Sequence, residues 1–170
     1  MAIHPVLEYP DPRLLKKAKP IEDFHTKETK TLIEDMFETM YAEQGAGLAA
    51  PQIGVSQQIV VIDLSRDRSE PLCLINPEIV NREGSQLNQE GCLSFPGIWI
   101  DVERSNWVHM KAFDKNGKPF EIKTDGYLAI AIQHELDHLD GIVFINRLSG
   151  LKRQRALKKY DKAKRQKDSA

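Results

Sequence analysis

The sequence predicts an α+β fold, in which helices flank a block of strands. Residues 58–124 contain several short runs of alternating apolar side chains, and the segments before and after them show helical spacing. Strands in one block with helices at either end indicate α+β and argue against an alternating parallel-sheet fold. A third feature, a nearly apolar helix that ends in two histidines at residues 133–141, predicts a buried functional centre.

Capping and periodicity predict the early helices. Asp11 and Pro12 suit an N-cap and a first helical position, and they start a short helix that Pro20 limits. A second helix is predicted over residues 26–43, where apolar side chains recur at helical spacing. Residues 45–54, GAGLAAPQIG, carry little side-chain bulk, so this segment is either an ordinary connection or a place where a ligand or another backbone approaches closely.

The remaining elements follow from alternation, turn signals and a second helical stretch. Strands are predicted at residues 58–64, 71–77 and 98–104, with shorter strand-like runs at 78–84 and 85–91. A hairpin is predicted around Asn116 and Gly117. The histidine helix should cover residues 126–140, and a last helix should start near Ser149 and carry a basic tail.

The composition is that of a globular protein with no membrane partner. Of 170 residues, 41% are hydrophobic and 29% charged, and no apolar run approaches the length of a membrane span. The first residues lack the basic-then-apolar pattern of a secretory signal, so we expect a cytoplasmic location. Two cysteines, Cys73 and Cys92, are too few for a disulfide framework, and each is expected to be a buried small hydrophobe or a metal ligand.

The pair His134 and His138 predicts a metal site. Four residues apart, the two stack on one face of a helix and can hold one ion, with Glu135 beside them, in the H-E-x-x-H pattern of a hydrolytic metal site. The alternative, two exposed histidines on a solvated helix, conflicts with the apolar run at residues 126–132, which predicts burial. A hydrolytic metal needs a third protein ligand, and none follows at the spacing of familiar metalloproteases. Cys92 is the upstream candidate; considered alone, it would be read as a core cysteine.

Three segments together carry a family resemblance. GAGLAAPQ, EGCLS and QHELDH, in this order and spacing, resemble the three motifs of peptide deformylases over residues 1 to about 150. The resemblance implies hydrolysis of the formyl group from N-formylmethionyl nascent peptides, and a fold of small antiparallel β-sheets packed around the central helix that carries HELDH. It implies one divalent metal ion, ferrous iron in the family, for which zinc, nickel or cobalt can substitute. The implied roles are metal ligation by Cys92, His134 and His138, acid and base catalysis by Glu135, and oxyanion binding by Gln52 and the N–H of Leu93.

The resemblance also implies a pocket for the methionine side chain. Its expected lining, unless these are packing residues, is Gly45, Ala46, Gly47, Glu90, Gly91, Tyr127, Ile130 and Ala131. Ala46 stands where the family usually has a bulky aliphatic residue, and Ala131 where many members have cysteine. Asp137 is expected to orient a basic partner such as Arg104, the alternative being an ordinary surface acid.

Two other functions compete with this interpretation. A zinc peptidase shares the H-E-x-x-H pattern but needs a further ligand downstream. A structural metal domain without enzymatic activity, docked on nucleic acid through a basic tail, needs a fourth closed ligand, for which Cys73 is the only other cysteine.

The charge distribution predicts an anionic partner. From Leu151 onward nine basic residues and two acids give a net charge of +7, which leaves −8 on the rest of the chain. We therefore expect a catalytic domain at residues 1–150 and a basic helix or tail at 151–170 that either docks on the ribosome or only aids solubility. Leu148, Leu151, Leu157 and Tyr160 should anchor the first turns of that helix while the remainder stays in water. We expect a monomer and no specific contact with DNA.

Overall fold

The predicted α+β fold is confirmed. The computed structural model describes residues 2–168, in which two antiparallel sheets accompany a buried central helix and a C-terminal helix. The α-helices are α1 (Lys27–Ala42), α2 (Gly126–Leu139) and α3 (Gly150–Asp168), and the strands are β1 (Gly47–Ala49), β2 (Ile59–Ile62), β3 (Leu72–Glu83), β4 (Gln86–Glu90), β5 (Ile100–Arg104), β6 (Trp107–Phe113) and β7 (Pro119–Asp125). Short 3-10 helices span Pro12–Leu15, Ala50–Ile53 and Phe144–Arg147. No helix in the described range is both long and apolar enough to cross a membrane.

The larger sheet separates two layers of core. Its strand order is β1-β2-β3-β6-β7, and every neighbouring pair is antiparallel. Because side chains alternate along a strand, Val60 and Ile62 of β2 join the cluster with α2, whereas Ile59 and Val61 join the cluster with α1. Helix α1 starts where the sequence predicts it, and Thr26 is its N-cap, with a side chain that accepts a hydrogen bond from the Thr29 N–H.

Helix α2 turns one face to this sheet and another to the site. Ala129, Ile132, Leu136 and Leu139 recur at helical spacing and pack in the cluster that contains sheet residues. His134 and His138 therefore project from a different face of the same helix. The burial predicted for the histidine helix is confirmed, since every residue from Ile132 to Leu139 is buried.

The two strands predicted at residues 71–77 and 78–84 are one strand, β3. Pro77 lacks an N–H and normally interrupts a ladder. Here the pairing with β6 shifts register between Ile75 and Glu78, so the proline falls at a bulge. Asn76, with φ of +50°, exchanges side-chain hydrogen bonds with the backbone of Ile21 and stabilises the bend.

Helix α3 packs on the domain as predicted for three of its four expected anchors, since Leu148, Leu157 and Tyr160 all belong to one hydrophobic cluster. Tyr160 is buried, its ring lies 5.0 Å from that of Phe95, and its hydroxyl donates to the carbonyl of Tyr9 at 2.8 Å. Leu151 is 61% exposed, so its predicted role as an anchor is wrong. The helix instead buries residues at i and i+4, Ala156 and Tyr160. Of the predicted tail, residues 169 and 170 lie outside the described range.

Candidate active site

Helix α2 brings the two histidines together inside the protein. The ring centroids of His134 and His138 are 5.2 Å apart, and both side chains are buried. Glu135 is buried beside them, and its Oε1 has no hydrogen-bond partner among the described residues. A buried carboxylate oxygen without a protein partner is rare and calls for a functional explanation.

Cys92 approaches the histidines from the segment that follows β4. Its Sγ lies 3.4 Å from Nε2 of His138, and one ligand atom from each of Cys92, His134 and His138 lies within 4.8 Å of the others. The 3.4 Å separation is that of two donors sharing one tetrahedral ion at about 2.0–2.3 Å each. A thiolate and two imidazoles are also a donor set suited to a first-row transition metal. These three residues could therefore hold a metal ion.

A buried ionic network orients the first histidine. Nδ1 of His134 faces Oε1 of Glu90 at 2.8 Å, which turns its Nε2 toward Cys92 and His138. Arg104 donates two hydrogen bonds to Glu90, at 2.8 and 3.0 Å. The side chains of His134, Glu90 and Arg104 are all buried, so each charge is stabilised by its partner and not by water.

The same network extends to Asp137. Arg104 donates to its Oδ2 at 2.7 Å, and Arg147 forms two further hydrogen bonds to it, at 2.6 and 3.0 Å. The predicted pairing of Asp137 with Arg104 is confirmed. The alternative of a surface acid is wrong, because Asp137 is 6% exposed.

Burial and neighbouring charges shift the acid–base properties of the site. Burial raises the pKa of Glu135 to about 7, with Glu90 adding to the effect and His134 opposing it. Burial, together with the positive charges of His134 and Arg104, lowers the pKa of His138 well below its usual range. His138 is therefore neutral, as a metal ligand must be.

The pKa values of the hydrogen-bonded pair Glu90 and His134 shift in the opposite directions to those of Glu135 and His138. Burial alone would raise the pKa of Glu90, but hydrogen bonds from His134 and Arg104 outweigh it and lower that pKa. Burial disfavours a charge on His134, yet the carboxylate of Glu135 and the hydrogen bonds to Cys92 and Glu90 raise its pKa well above the usual range. The carboxylates thus favour a positive charge at the histidine end of the site, which a metal ion bound to neutral His134 would supply in place of a proton.

The first motif supplies an amide donor and a close backbone approach. Oε1 of Gln52 accepts from the Ala49 N–H at 2.9 Å, which turns Nε2 to Ser94 Oγ at 3.1 Å and to Cys92 Sγ at 3.7 Å. Gly47 lies so close to Glu135 that a Cβ there would stand 2.5 Å from Oε2. The small residues at 45–54 are therefore more than an ordinary connection.

These groups face one cavity of about 670 Å³. All eight residues predicted to line the methionine pocket line it, as do Gln52, Cys92, Leu93, His134 and Glu135; the eight are Gly45, Ala46, Gly47, Glu90, Gly91, Tyr127, Ile130 and Ala131. His138 lies behind the wall at 1% exposure. Tyr127 is 75% exposed, which excludes the alternative that it is a packing residue.

Some residues that line the cavity were not predicted from the sequence. Trp99 and Leu64 line the cavity although they lie outside all three motifs, and so does Glu43 at the end of α1. Alternation along residues 98–104 offered a signal, because Ile98, Ile100 and Val102 point inward and leave Trp99 outward. For Leu64 the sequence holds no such signal, since it follows the end of a fully buried strand.

Comparison with known proteins gives consistent matches. A sequence profile of the family described as polypeptide deformylase matches residues 3–154. Peptide deformylase of Chromobacterium violaceum is 51% identical over 166 residues, which cover 98% of this chain and 99% of the relative. Peptide deformylase 2 of Xanthomonas campestris pv. campestris is 48% identical over 167 residues, covering 97% and 98%. The crystal structure of a peptide deformylase from Legionella pneumophila has a TM-score of 0.94 at 50% identity and covers 99% of both chains. The profile match includes every residue of the site.

Proposed function

This chain belongs to the polypeptide deformylase family, and we propose that Cys92, His134 and His138 hold one divalent metal ion at its active site. The protein is a hydrolase that removes the formyl group from formyl-methionyl nascent peptides. One observation carries the residue assignment: three ligand atoms lie within 4.8 Å of one another at a cavity that Glu135 also lines. A zinc peptidase and a structural metal domain are not favoured, and in the described range Cys73 does not join the ligand cluster.

We assign Glu135 as the group that accepts and returns the proton. A divalent ion held by Cys92, His134 and His138 would act as a Lewis acid and would make water easier to deprotonate near neutral pH. The Glu135 carboxylate has one oxygen without a protein partner, and it lines the cavity beside His134. It can therefore take the proton of the attacking water and pass it to the leaving amine, which must gain one as the formyl C–N bond breaks.

Gln52 and the N–H of Leu93 are assigned to the developing oxyanion. The Gln52 amide is fixed by its hydrogen bond from Ala49, so its Nε2 donor side faces Cys92. Leu93 directly follows Cys92 and lines the same cavity. One such donor is typically worth about 3 kcal/mol in the transition state.

The methionine side chain of the substrate occupies the inner part of the cavity. Ile130 and Ala131 form one wall on α2, one turn before His134, and Gly45 and Gly91 form facing walls. A Cβ on Gly45 would stand 2.7 Å from Leu93 Cδ1, so glycine keeps this wall thin. Ala46, Gly47, Glu90 and Tyr127 complete the binding residues.

We propose ferrous iron as the resident metal, as in the family. Cys-His-His ligation also suits zinc, nickel and cobalt. Purification without oxygen, followed by metal analysis and a formate-release assay, tests this assignment; iron should be the predominant metal in active preparations. An active preparation that contains only zinc would contradict it.

The enzymatic assignment is tested with two peptides and a chelator. Formyl-Met-Ala-Ser should release formate, whereas unformylated Met-Ala-Ser should remain intact. Removal of the metal should abolish formate release, and addition of Fe(II), Ni(II) or Co(II) should restore it. Cleavage of the unformylated peptide would favour a peptidase instead.

We further propose that residues 1–150 are the catalytic domain and that the basic segment at 151–170, a helix or tail in the prediction, docks the enzyme on the ribosome. Because the substrate is a nascent peptide, we propose a cytoplasmic location. Because one copy of the protein supplies every residue of the proposed site, we propose that the enzyme acts as a monomer. Most basic side chains of α3 are exposed: Lys152, Arg153, Arg155, Lys158, Lys159, Lys162, Arg165 and Lys167. A positive helix on a negative body is attracted to ribosomal RNA by counterion release, which weakens steeply as salt rises.

Charge reversal tests this docking without disturbing the inner face of α3. The double variant Lys158→Glu/Lys162→Glu should lose co-sedimentation with ribosomes at low salt and retain formate release from a short peptide. Lys30→Glu/Lys118→Glu changes exposed lysines of the body and is the matched control. Equal ribosome binding by the wild type and the α3 variant would refute the proposal.

A further inference from the structure

We infer that a second cavity, distinct from the active-site cavity, binds a small aromatic carboxylate. It lies at one end of the larger sheet, where β3 begins and the hairpin between β6 and β7 turns, and α1 contributes one of its walls. No residue that lines it also lines the active-site cavity. The inference therefore does not depend on the proposed function.

This second cavity has the size and the apolar surface of a small-molecule site. Its volume is about 650 Å³, and such sites typically measure about 300–1,000 Å³. Phe37, Leu72, Cys73 and Phe120 line it, and each is only half-buried. Leu72 and Phe120 pack with the core cluster of α2, whereas Phe37 and Cys73 pack with that of α1. A ligand ring here would cover apolar surface that neither cluster buries fully.

One wall of the second cavity is a column of stacked planar groups. The ring centroids of Phe37 and Tyr41 are 6.1 Å apart, and the guanidinium carbon of Arg68 lies 4.7 Å from the centroid of the Tyr41 ring. The Tyr41 hydroxyl donates to Asp63 at 2.6 Å, which fixes the ring. A guanidinium that stacks through its face keeps its N–H edge available, and that edge matches a planar carboxylate. The column thus offers an aromatic face and a fork of donors to one ligand.

The connection between β2 and β3 holds Arg68 in position. The Ser65 N–H donates to Asp63 Oδ1 at 2.9 Å, and the Ser69 N–H donates to Ser65 Oγ at 2.9 Å. Arg68 itself has φ of +60°, a left-handed conformation that costs free energy in a residue other than glycine. Strained backbone of this kind concentrates at ligand-binding positions. Because the connection is already braced, binding requires little further ordering of this cation.

The charges that line the second cavity favour a monovalent anion. Arg68 and Lys115 line it, and neither forms a salt bridge to a carboxylate in the described range. Asp114 is the only acid among the described lining residues, and its Oδ1 accepts the N–H groups of Asn116 and Lys118 at 2.9 and 3.0 Å. Its charge is therefore stabilised within the hairpin turn. Two cations and one acid suit a carboxylate better than a divalent phosphate.

Calorimetry on the metal-loaded enzyme with three probes tests the inference: naphthaleneacetate, naphthaleneacetamide and acetate. Naphthaleneacetate should bind with a Kd of about 1 mM, as expected for a ligand of this size. The neutral amide should bind about tenfold more weakly, because it lacks the charge-assisted hydrogen bonds to Arg68. Acetate should bind at least about tenfold more weakly, because it has no ring to cover the apolar surface.

Three variants assign the binding to this cavity. Arg68→Gln should bind naphthaleneacetate about tenfold more weakly and the amide as the wild type does. Lys115→Gln should weaken binding of naphthaleneacetate by about threefold, as expected of an exposed charge. Arg66→Gln is the matched control, since Arg66 is an exposed arginine of the same connection that does not line the cavity. All three should release formate from formyl-Met-Ala-Ser at the wild-type rate, which also shows that they are folded.

The inference is overturned if the wild type binds naphthaleneacetate and its amide equally, or if Arg68→Gln binds naphthaleneacetate as tightly as the wild type. Competitive inhibition of formate release, with an inhibition constant equal to the calorimetric Kd, would also overturn it, because the carboxylate would then occupy the active site. Each of these results leaves the proposed function standing, because formate is still released from the formylated peptide.

Discussion

Replacement of Gly47 by alanine probes how closely the first motif approaches the proposed acid and base. A Cβ at this position would stand 2.5 Å from Oε2 of Glu135 and 3.0 Å from its Cδ. Ordinary van der Waals contact begins near 3.4 Å, so the carboxylate must move by roughly 0.9 Å. Gly47 lies in strand β1, where alanine is sterically permitted, so the strain falls on Glu135 and not on the strand.

We expect Gly47→Ala to lower kcat/KM by about 100-fold, because misplacement of a catalytic group by roughly 1 Å has this effect. The metal content should stay at the wild-type level, since the three atoms nearest to the added Cβ all belong to Glu135 and none to a proposed ligand. The assay is formate release from formyl-Met-Ala-Ser, with metal analysis of the same sample. Gly150→Ala is the matched control, because no atom lies within 4 Å of its added Cβ.

Wild-type kcat/KM in Gly47→Ala with full metal occupancy would refute this reasoning. It would mean either that the carboxylate shifts without consequence or that Glu135 does not carry the proton. Equal loss of activity in Gly150→Ala would show that the assay responds to a general effect of alanine.

Three further predictions concern the surroundings of the site. Tyr160→Ala should lower the free energy of unfolding by about 3–5 kcal/mol, as for other large-to-small core changes, whereas Tyr160→Phe should cost about 1 kcal/mol for the lost hydrogen bond; chemical denaturation measures both, and equal effects would exclude a packing role for the ring. Arg104→Met should remove the guanidinium that two buried carboxylates share, leaving Glu90 with His134 and Asp137 with Arg147; it should cost about 3–5 kcal/mol of stability and lower metal affinity about 10–100-fold, and unchanged metal affinity in competition with a chelator would contradict the orienting role of the network. Peroxide should inactivate the iron form faster than the nickel form through oxidation of Cys92, and equal loss of formate release in both would argue against it.

The sequence predicts the histidine helix well because two independent patterns agree there. The apolar run at residues 126–132 indicates burial, and the spacing of His134 and His138 indicates a shared ligand. Cys92 was different, because a loop cysteine has no periodicity that relates it to histidines more than 40 residues later. The need for a third ligand and the resemblance of the three motifs pointed to it, and the structure brings its Sγ to 3.4 Å from His138.

Other features depended on packing that no local pattern reveals. The strand across Pro77 is possible because β3 and β6 shift register there, which is a property of the pair and not of either segment. For α3, side-chain size suggested both Leu151 and Tyr160, but only Tyr160 is buried, on the same helix face as Ala156. Trp99 lines the cavity only because the fold places Gly91 and residues of α2 around the same space.

Glu135→Gln tests the central claim most directly, because the amide preserves the shape of the side chain but cannot accept the proton. The variant should bind the wild-type amount of metal, unfold with the wild type's cooperativity, and release formate from formyl-Met-Ala-Ser more slowly by a factor of about 100 or more, the range expected for loss of a positioned general base. Wild-type turnover by the fully metallated variant would contradict the assignment of Glu135 and, with it, the account of how this site hydrolyses the formyl group.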